Sequence, residues 1–585
     1  MQKLFIMTNL KIITKLGVQY RLILPGMLLT MCLLIIVITG CNKQLNIQPK
    51  GVVSGEQINT PDGAEKLVTA AYAQLGNDHY DQAFSLWAYG DVRADDAYKG
   101  GRDAADIQDF HFIETWYNTL TNFGEIDALW YNLYIGVSRT NAALNALESL
   151  DENSFPLKTQ RIAEMRFLRG YWYFQLKILF KYVPYIDENA PRALYDTIGN
   201  RTYSNDELWQ KIADDFTYAA ENLSDKKSDI GRPDKAAAYA YLAKTKLYQA
   251  YKQDEKNNVT SIDQQDLNAV VAATAKVMSY TQYGLESDYA NNFRLGVPDK
   301  ESIWAVQFST DDGTMFGRLN FSDVLSTPQG IGCCDFKKPS QNLVNAFKTD
   351  ADGLPLFDTY NDQIVNTAKD NIDPRLDHTV AIPGRTWKYD PATIYEENWN
   401  RSPDIYGYYA SLKENVQKDD YVQVGPFYGN AKHRVIIRYA DVLLFRAEAL
   451  IELGRQDEAL PLINDIRERA AGSTELLVNA AGNPEGNYLV KPYVKGVNID
   501  WTQSNARKAL RFERRLEMAE EGSRFFDLVR WGIADQVLNE YAAVEKTRHS
   551  VLSDAHFTKN KNEYLPIPLN QIQFSKNLYK QNYGY

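Results

Sequence analysis

Residues 439–470 read YADVLLFRAEALIELGRQDEALPLINDIRERA, and this stretch decides the fold class. Apolar side chains recur in it every three or four positions on both sides of Gly454, which is the spacing of one helical face. They are Leu443, Ala447 and Leu450 before the glycine, and Ala459, Ile463 and Ile466 after it. Because glycine commonly ends helices, the stretch predicts two amphipathic helices joined by a short turn.

The same two helices match the pattern of a tetratricopeptide repeat. Ala447 and Ala459 occupy its small-residue positions, and Leu443 and Leu450 fit its large positions, although its terminal proline is missing. Such a repeat is a packing device and does not identify a ligand.

Helical patterns extend outward from this unit over most of the chain. They cover about 61–76, 126–150, 159–181 and 235–251. The third has two apolar stripes, so it must be covered from more than one side. We therefore predict a mainly α fold, in which tetratricopeptide-like helix pairs form a scaffold.

Residues 280–435 differ from the rest. They are rich in Gly, Pro, Asp, Asn and aromatic residues, with short alternating runs such as Ile303–Phe308. The pattern predicts an irregular, loop-rich insertion with a few short strands. Insertions of this length are usually functional, so we place the ligand-binding region here.

The N-terminus reads as a targeting segment. Basic residues precede an almost wholly apolar run, Met27–Ile38, and small residues then lead to Cys41. The end of this segment looks like a bacterial lipobox, in which Cys41 is lipidated and becomes the mature N-terminus. The alternative, a membrane-spanning anchor, needs about 20 apolar residues, and the run has only about 12. Translation could also start at Met7 or Met27.

These patterns divide the chain into three parts. Residues 1–40 are expected to be a lipoprotein signal peptide, 41–60 a lipidated tether, and 61–585 a single helical domain that contains the insertion. Without residues 1–40, the chain has 60 basic and 75 acidic side chains, a net charge of −15. That charge repels phosphate backbones, so nucleic acid is not an expected partner.

Cysteine and histidine patterns give no sign of a metal or cofactor. After the leader and Cys41, only the adjacent Cys333 and Cys334 remain, and they match no zinc spacing. They are either a vicinal disulfide, in an oxidising compartment, or two buried thiols. The six histidines do not pair at metal spacing, and no HExxH, phosphate loop or GxSxG motif occurs. We expect no catalytic residue, no metal and no cofactor.

Asp95 and Asp96 are the only acidic pair that invites a catalytic reading. Glycoside hydrolysis needs two carboxyl groups that face each other across the substrate, whereas adjacent side chains tend to diverge. Loop capping and hydrogen bonding are the favoured roles for this pair.

Aromatic residues in loops are the better functional candidates. Flat rings pack on the apolar faces of sugar rings, and neighbouring polar groups bind hydroxyls; the alternative for each ring is that it only pins its own loop to the body. The candidate ligand-binding residues are Asp95, Asp96, Tyr98, Arg102, Trp116, Tyr117, Trp387, Tyr395, Trp399 and Tyr408. Lys99 and Arg102 could supply a local cationic cluster.

Several ordered stretches resemble the SusD/RagB family of outer-membrane nutrient-binding lipoproteins. The most specific are Ile437–Ala449 and Glu513–Gly532; others are Leu45–Gly51, Arg166–Leu176, Glu301–Ser309, Asp373–Arg375 and Leu565–Pro568. The resemblance covers the whole mature chain. It implies a lipid-anchored protein that captures a nutrient, mostly a glycan and sometimes a peptide, and closes over a SusC-like TonB-dependent transporter.

The resemblance does not assign the signature residues to ligand. Glu513, Arg514, Arg515, Asp527 and Arg530 fall on helices beside apolar neighbours. Charges in such a setting need partners, so we expect a buried ion network. Many exported relatives carry acidic residues after the lipidated cysteine, whereas Asn42–Gln44 follow here, which leaves open whether the protein faces the cell exterior or the periplasm. A surface glycoside hydrolase and a periplasm-facing scaffold are the competing functions.

Overall fold

The structure is a computed structural model that describes residues 58–585, except 77–83, 298, 311–312, 314–317, 322 and 425–426. Cys41, the leader and nearly all of the predicted tether lie outside the described residues. Residues 61–585 form one compact unit. Within the described residues, no helix combines the length and hydrophobicity that a membrane span requires. The predicted boundaries at residues 40 and 60 stay predictions.

Helices are the main regular structure of the body, as predicted. In chain order they are α1 (Pro61–Ala73), α2 (Gln108–Thr115), α3 (Gly124–Glu148), α4 (Lys158–Phe180), α5 (Asn205–Asn222), α6 (Lys235–Ala250), α7 (Gln264–Met278), α8 (Gln341–Ala346), α9 (Arg375–Thr379), α10 (Pro403–Tyr406), α11 (Tyr439–Glu452), α12 (Gln456–Gly472), α13 (Gln503–Glu517), α14 (Arg524–Arg530), α15 (Ala534–Arg548) and α16 (Leu569–Phe574).

The long helices form a continuous array. Each of α3, α4, α5 and α6 packs against the next helix in the chain, α7 packs against α11, and α11 packs against both α12 and α13. α4 lies inside this array, and almost its whole surface from Arg161 onward is buried. A Cβ atom at Gly136 would lie 2.4 Å from Trp172, so glycine is what allows α3 and α4 to approach this closely.

The predicted repeat unit is confirmed as the pair α11 and α12. Gly454 makes the turn with a positive φ of 75°. The apolar residues of both helices are buried in one core cluster, and the two alanines have no exposed surface, which lets the helices pack closely.

The strands are short and pair two by two. They are β1 (Ala97–Gly100), β2 (Tyr251–Gln253), β3 (Val259–Ile262), β4 (Ser302–Val306), β5 (Phe336–Pro339), β6 (Asn371–Ile372), β7 (Val380–Ala381), β8 (Thr386–Trp387), β9 (Asp390–Ile394), β10 (Ala410–Ser411), β11 (Val422–Val424), β12 (Phe427–Gly429), β13 (Arg434–Arg438) and β14 (Asn487–Tyr488). Most lie in 280–435. The antiparallel pairs β1–β5 and β4–β13 join this region to the helical body.

The signature residues form the expected buried ion network. Arg514 and Arg530 both pair with Asp527, at 2.6 Å and 2.9 Å. Glu517 accepts hydrogen bonds from Arg375, Arg438 and Arg469. Because all of these side chains are buried, the pairs hold α13 and α14 to the helices around them and leave no charge of the group unpaired.

Candidate functional site

Three loops meet at one surface, which we call the loop surface: residues 101–107, 328–335 and 396–409. The sheet β1–β5 brings the first two together, because residue 101 follows β1 and residue 335 precedes β5. The Gly101 amide donates to the Asp335 carbonyl at 2.9 Å.

Arg401 ties the third loop to the other two. Its backbone amide donates to Asp335 Oδ2 at 2.7 Å, and its guanidinium contacts Asp106 Oδ2 at 3.0 Å and the Cys334 carbonyl at 3.3 Å. Ser402 Oγ also donates to the Arg102 carbonyl at 2.7 Å. Because Arg401 stays partly exposed, it can hold the loops together and still offer N–H groups to a bound molecule.

Two aromatic rings lie against the middle loop. A Cβ atom at Gly330 would stand 2.3 Å from Trp399, and one at Gly332 would stand 2.0 Å from Tyr428. Both glycines are therefore required for the rings to approach the backbone. Trp399 and Tyr428 are both partly exposed, so each presents some aromatic surface to solvent.

Cys333 and Cys334 lie in this same loop with their sulfur atoms in contact, which is the arrangement expected for the vicinal disulfide of the two alternatives left open by the sequence. Cys334 is buried and Cys333 is partly exposed. The Cys334 and Asp335 amides both donate to the Thr327 carbonyl, at 2.6 Å and 2.9 Å. The cysteine pair therefore follows directly after the two glycines that the rings contact, on a backbone held by hydrogen bonds.

Trp387 and Tyr395 support Trp399 from the interior. The three ring centroids lie 5.5 to 5.8 Å apart, and the Trp387 indole N–H donates to the Val416 carbonyl at 2.9 Å. Trp387 and Tyr395 have no exposed surface. Both are candidates for ligand contact in the sequence, with packing of their own loop as the alternative; in this structure they pack beneath the surface, and of the three only Trp399 reaches solvent.

Asp95 and Asp96 lie in the interior, where they pair with arginines. Arg524 binds both oxygens of Asp95, at 2.8 Å and 2.9 Å, and Arg515 contacts both aspartates. Burial raises the pKa of Asp95, but Arg515 and Arg524 outweigh this effect and lower it to about 2. Burial raises the pKa of Asp96 despite Arg515. The expectation that they bind ligand conflicts with this placement, because both side chains are enclosed by the body and ion-paired with Arg515.

Tyr98, Trp116 and Lys99 are buried as well. Tyr98 donates its hydroxyl to Glu545 at 2.5 Å, and the Trp116 indole donates to the Arg93 carbonyl at 3.0 Å. Lys99 Nζ donates to the carbonyls of Asp103 and Asp106. These three side chains therefore close the body beneath the first loop, and Lys99 contributes no cation to the surface.

Arg102, Tyr117 and Tyr408 are the exposed candidates besides Trp399. Arg102 lies in the first loop and pairs with Asp103 at 2.9 Å, and Tyr408 lies in the third loop. Tyr117 is 54% exposed, but no contact within the described residues joins it to the loop surface. The structure thus brings together Arg102, Trp399 and Tyr408 on these loops and leaves Tyr117 apart.

Comparison with known proteins covers most of the chain. A family profile described as "SusD family" matches residues 300–585, and one described as "Starch-binding associating with outer membrane" matches 63–247. The chain belongs to the SusD/RagB family.

Individual relatives are similar along most of their length. SusD-like protein P38 of Formosa agariphila is 25% identical over 88% of this chain and 92% of its own. A SusD-like carbohydrate-binding protein of Bacteroides fragilis superposes with a TM-score of 0.67 at 22% identity, over 89% of this chain and 98% of its own. Surface glycan-binding protein A of Bacteroides fluxus superposes with a TM-score of 0.64 at 22% identity, over 90% of this chain and 100% of its own. At these identities, the two structures show that the SusD/RagB fold is shared.

Within this SusD/RagB chain, Arg401 and Tyr428 lie against the loop surface, and the sequence analysis named neither. Tyr428 lies on β12, outside the aromatic cluster that drew attention, and Arg401 follows Trp399 by two positions. The glycines at 330 and 332 beside an adjacent cysteine pair were the available signal, because backbone without side chains permits close approach of a ring.

Proposed function

We propose that this SusD/RagB protein binds a glycan at the loop surface and delivers it to a SusC-like TonB-dependent transporter in the outer membrane. The observation that carries the proposal is the placement of Trp399 beside Arg401 on three interlocked loops. In this arrangement an aromatic ring, fixed in position from below, adjoins hydrogen-bonding groups that face solvent.

The chemistry of the loop surface suits a sugar. Sugar rings have apolar faces that pack on aromatic rings, and their hydroxyls accept and donate hydrogen bonds. Trp399 and Tyr428 offer the rings, and Arg401, Asp106 and the exposed Gln329 offer donors and acceptors. The three loops are held by several hydrogen bonds before any ligand arrives, which lowers the entropic cost of binding. With a net charge of −15 on the expected mature chain, we propose a neutral glycan for this surface.

Binding rather than hydrolysis fits the state of the acidic pair. General acid catalysis needs a carboxyl group that holds a proton and reaches the substrate. Asp95 is ion-paired with a pKa of about 2, and both aspartates are enclosed by the body. Two similar structures are named for carbohydrate binding, a laminarin-binding SusD-like protein and the Bacteroides fragilis protein, and this supports the same class of ligand here.

Calorimetry against a panel of neutral polysaccharides, with peptides as the alternative class, tests the proposal. Trp399→Ala should weaken glycan binding at least tenfold, since a truncated hot-spot aromatic typically costs about 2 kcal/mol. Tyr131→Ala is the matched control, because Tyr131 is 61% exposed on α3, away from the loops. Equal binding by Trp399→Ala and the parent would reject the loop surface as the site, and binding of peptides alone would reject the glycan.

The anchor and the partner are further parts of the proposal. We place the lipid on Cys41 and the protein at the outer membrane, facing the exterior. Cys41→Ser should abolish incorporation of radiolabelled palmitate, and protease added to intact cells should digest the wild-type protein. A pull-down from detergent-solubilised membranes should recover a TonB-dependent transporter. Unchanged labelling, protection from protease, or recovery without a transporter would each overturn the corresponding part.

A further inference from the structure

A second cleft, lined by none of the residues of the three loops, lies between residues 357–362, α13 and α15. Its volume is about 590 Å³, within the size range of small-molecule sites in proteins. Its lining combines aromatic rings with arginine, asparagine and serine side chains. The cleft belongs to the described body, and the proposed function assigns it no role.

One wall of the cleft is aromatic. Phe357 and Phe512 meet edge to face with centroids 5.4 Å apart, and Tyr360 packs on Phe512 at 5.6 Å. All three rings are partly exposed. An apolar surface that remains open to water in a concave setting favours a ligand with a flat apolar face.

The arginines and lysine of the cleft have partners, with one exception. Lys508 pairs with Asp358, Arg507 with Glu452, and Arg515 and Arg524 with Asp95. Arg511 contacts the ring of Trp531 at 4.8 Å but has no hydrogen bond or ion pair with any residue that the structure describes. Its nearest acids are already used, because Glu448 pairs with Arg530 and Glu452 with Arg507.

Arg511 is therefore a partly buried cation without a counter-charge. Burial lowers the pKa of its guanidinium, which is the sign of a charge held in a poorly solvated place. A partly buried cation without an ion pair costs free energy that an acceptor from outside would recover.

We propose that this cleft is a second ligand site, which binds the carboxylate of an acidic glycan through Arg511 while a sugar ring packs on the Phe357–Phe512 wall. A guanidinium binds a carboxylate with two parallel hydrogen bonds. The exposed carboxylates Asp362 and Glu540 also line the cleft. They repel a densely charged polymer, so the fitting ligand carries isolated uronic acids on a neutral backbone.

The test uses pairs of probes that differ only in charge. Oligosaccharides that carry single glucuronic or galacturonic acid units are compared by calorimetry with their carboxyl-reduced forms, at low and at moderate salt. We expect the acidic member of at least one pair to bind tenfold or more tightly than its reduced form. The proposal is overturned if no pair shows this preference.

Variants then assign the preference to the cleft. Arg511→Gln should remove it, whereas Arg455→Gln, an exposed arginine of another turn, should retain it. Arg511→Met, which keeps the packing against Trp531, replaces the glutamine variant if that one does not fold. Trp399→Ala should leave the preference intact, so a failure of the loop surface and a failure of the cleft give different results. A preference that survives both Arg511 variants would contradict the proposal.

Discussion

Glu517 and Trp399 occupy opposite kinds of environment. Glu517 lies in the interior among Arg375, Arg438 and Arg469, and its oxygens have no access to solvent. Trp399 lies at the edge of the body, held from below by Trp387 and Tyr395, with part of its ring open. The interactions of Glu517 are all made inside the protein and stabilise the fold. Trp399 also packs on the interior, but part of its ring remains available to a bound molecule.

This difference separates the family signature from the binding function. The signature residues on α13 and α14 are satisfied by partners inside the protein, so they specify how the helices pack. The loop surface contains none of the residues from Glu513 to Gly532. Relatives can therefore share the body and differ in ligand, and substitutions in the two regions should have different consequences.

The largest effect is expected from Glu517→Ala. The variant leaves three buried guanidinium groups with less than their full set of partners, and removal of one member of a buried pair costs about 3–5 kcal/mol. Chemical denaturation of the purified chains should show this loss. The control is Glu458→Ala, which breaks an exposed pair with Arg455 and should change stability little. Equal stability of the two variants would show that the interior network does not hold the fold.

Acid should weaken the interior network through Glu448. Burial raises the pKa of this carboxyl, but the Arg530 pair and hydrogen bonds from Tyr251 and Trp531 lower it to about 2. Because the folded pKa lies below the unfolded value, its stabilisation is present above about pH 4.5 and is lost as the pH falls toward 2. Between pH 7 and pH 3 this group should account for roughly 2 kcal/mol.

Chemical denaturation at pH 7 and pH 3 measures the contribution of Glu448 to the free energy of unfolding. Glu448→Gln cannot titrate, so it should lose roughly 2 kcal/mol less than the parent over the same interval. Glu458→Gln should lose as much stability as the parent. If the parent and Glu448→Gln lose equal stability, the Glu448–Arg530 pair does not have the lowered pKa.

Trp387→Ala tests whether the rings below the loop surface serve packing. Because Trp387 is fully buried, the variant should lose about 3–5 kcal/mol of stability, with a clear fall in melting temperature. Trp399→Ala should lower glycan affinity with a much smaller change in melting temperature. A Trp387→Ala protein that melts like the parent and no longer binds would restore Trp387 as a ligand contact.

The smallest effect is expected from Tyr408→Ala. This side chain is 41% exposed, so its removal should change stability by less than about 0.5 kcal/mol. Glycan affinity should fall a few-fold if the ligand extends along the third loop. Tyr117→Ala is the control and should bind like the parent. An affinity loss in Tyr117→Ala alone would move the site away from the loop surface.

The helices were predictable from sequence because their apolar spacing is local information. The spacing of Leu443, Ala447 and Leu450, within about two helical turns, is enough to predict that they share a buried face. The candidate site was not predictable in this way, because the exposure of an aromatic side chain in a loop depends on residues that are far away in the sequence. Trp387 and Trp399 have similar surroundings in sequence, yet one is enclosed and the other reaches solvent. Asp95 and Asp96 looked like surface candidates because the arginines that bind them lie more than 400 positions later in the chain.

Because these pairs join residues that are far apart in the sequence, the N-terminal segment can reach its final structure only after the C-terminal helices are present. A Cβ atom at Gly90 would stand 2.1 Å from the Gly522 carbonyl, and Asp91 accepts a hydrogen bond from the Gly522 amide. β1 pairs with a strand that begins at residue 336, and the first loop needs Arg401. A growing or truncated chain that ends before Arg515 thus exposes two carboxylates without counter-ions. We expect the segment around Asp95 to remain open to proteases until the C-terminal helices form, so only a chain that extends beyond Arg524 should acquire the closed arrangement of the loop surface.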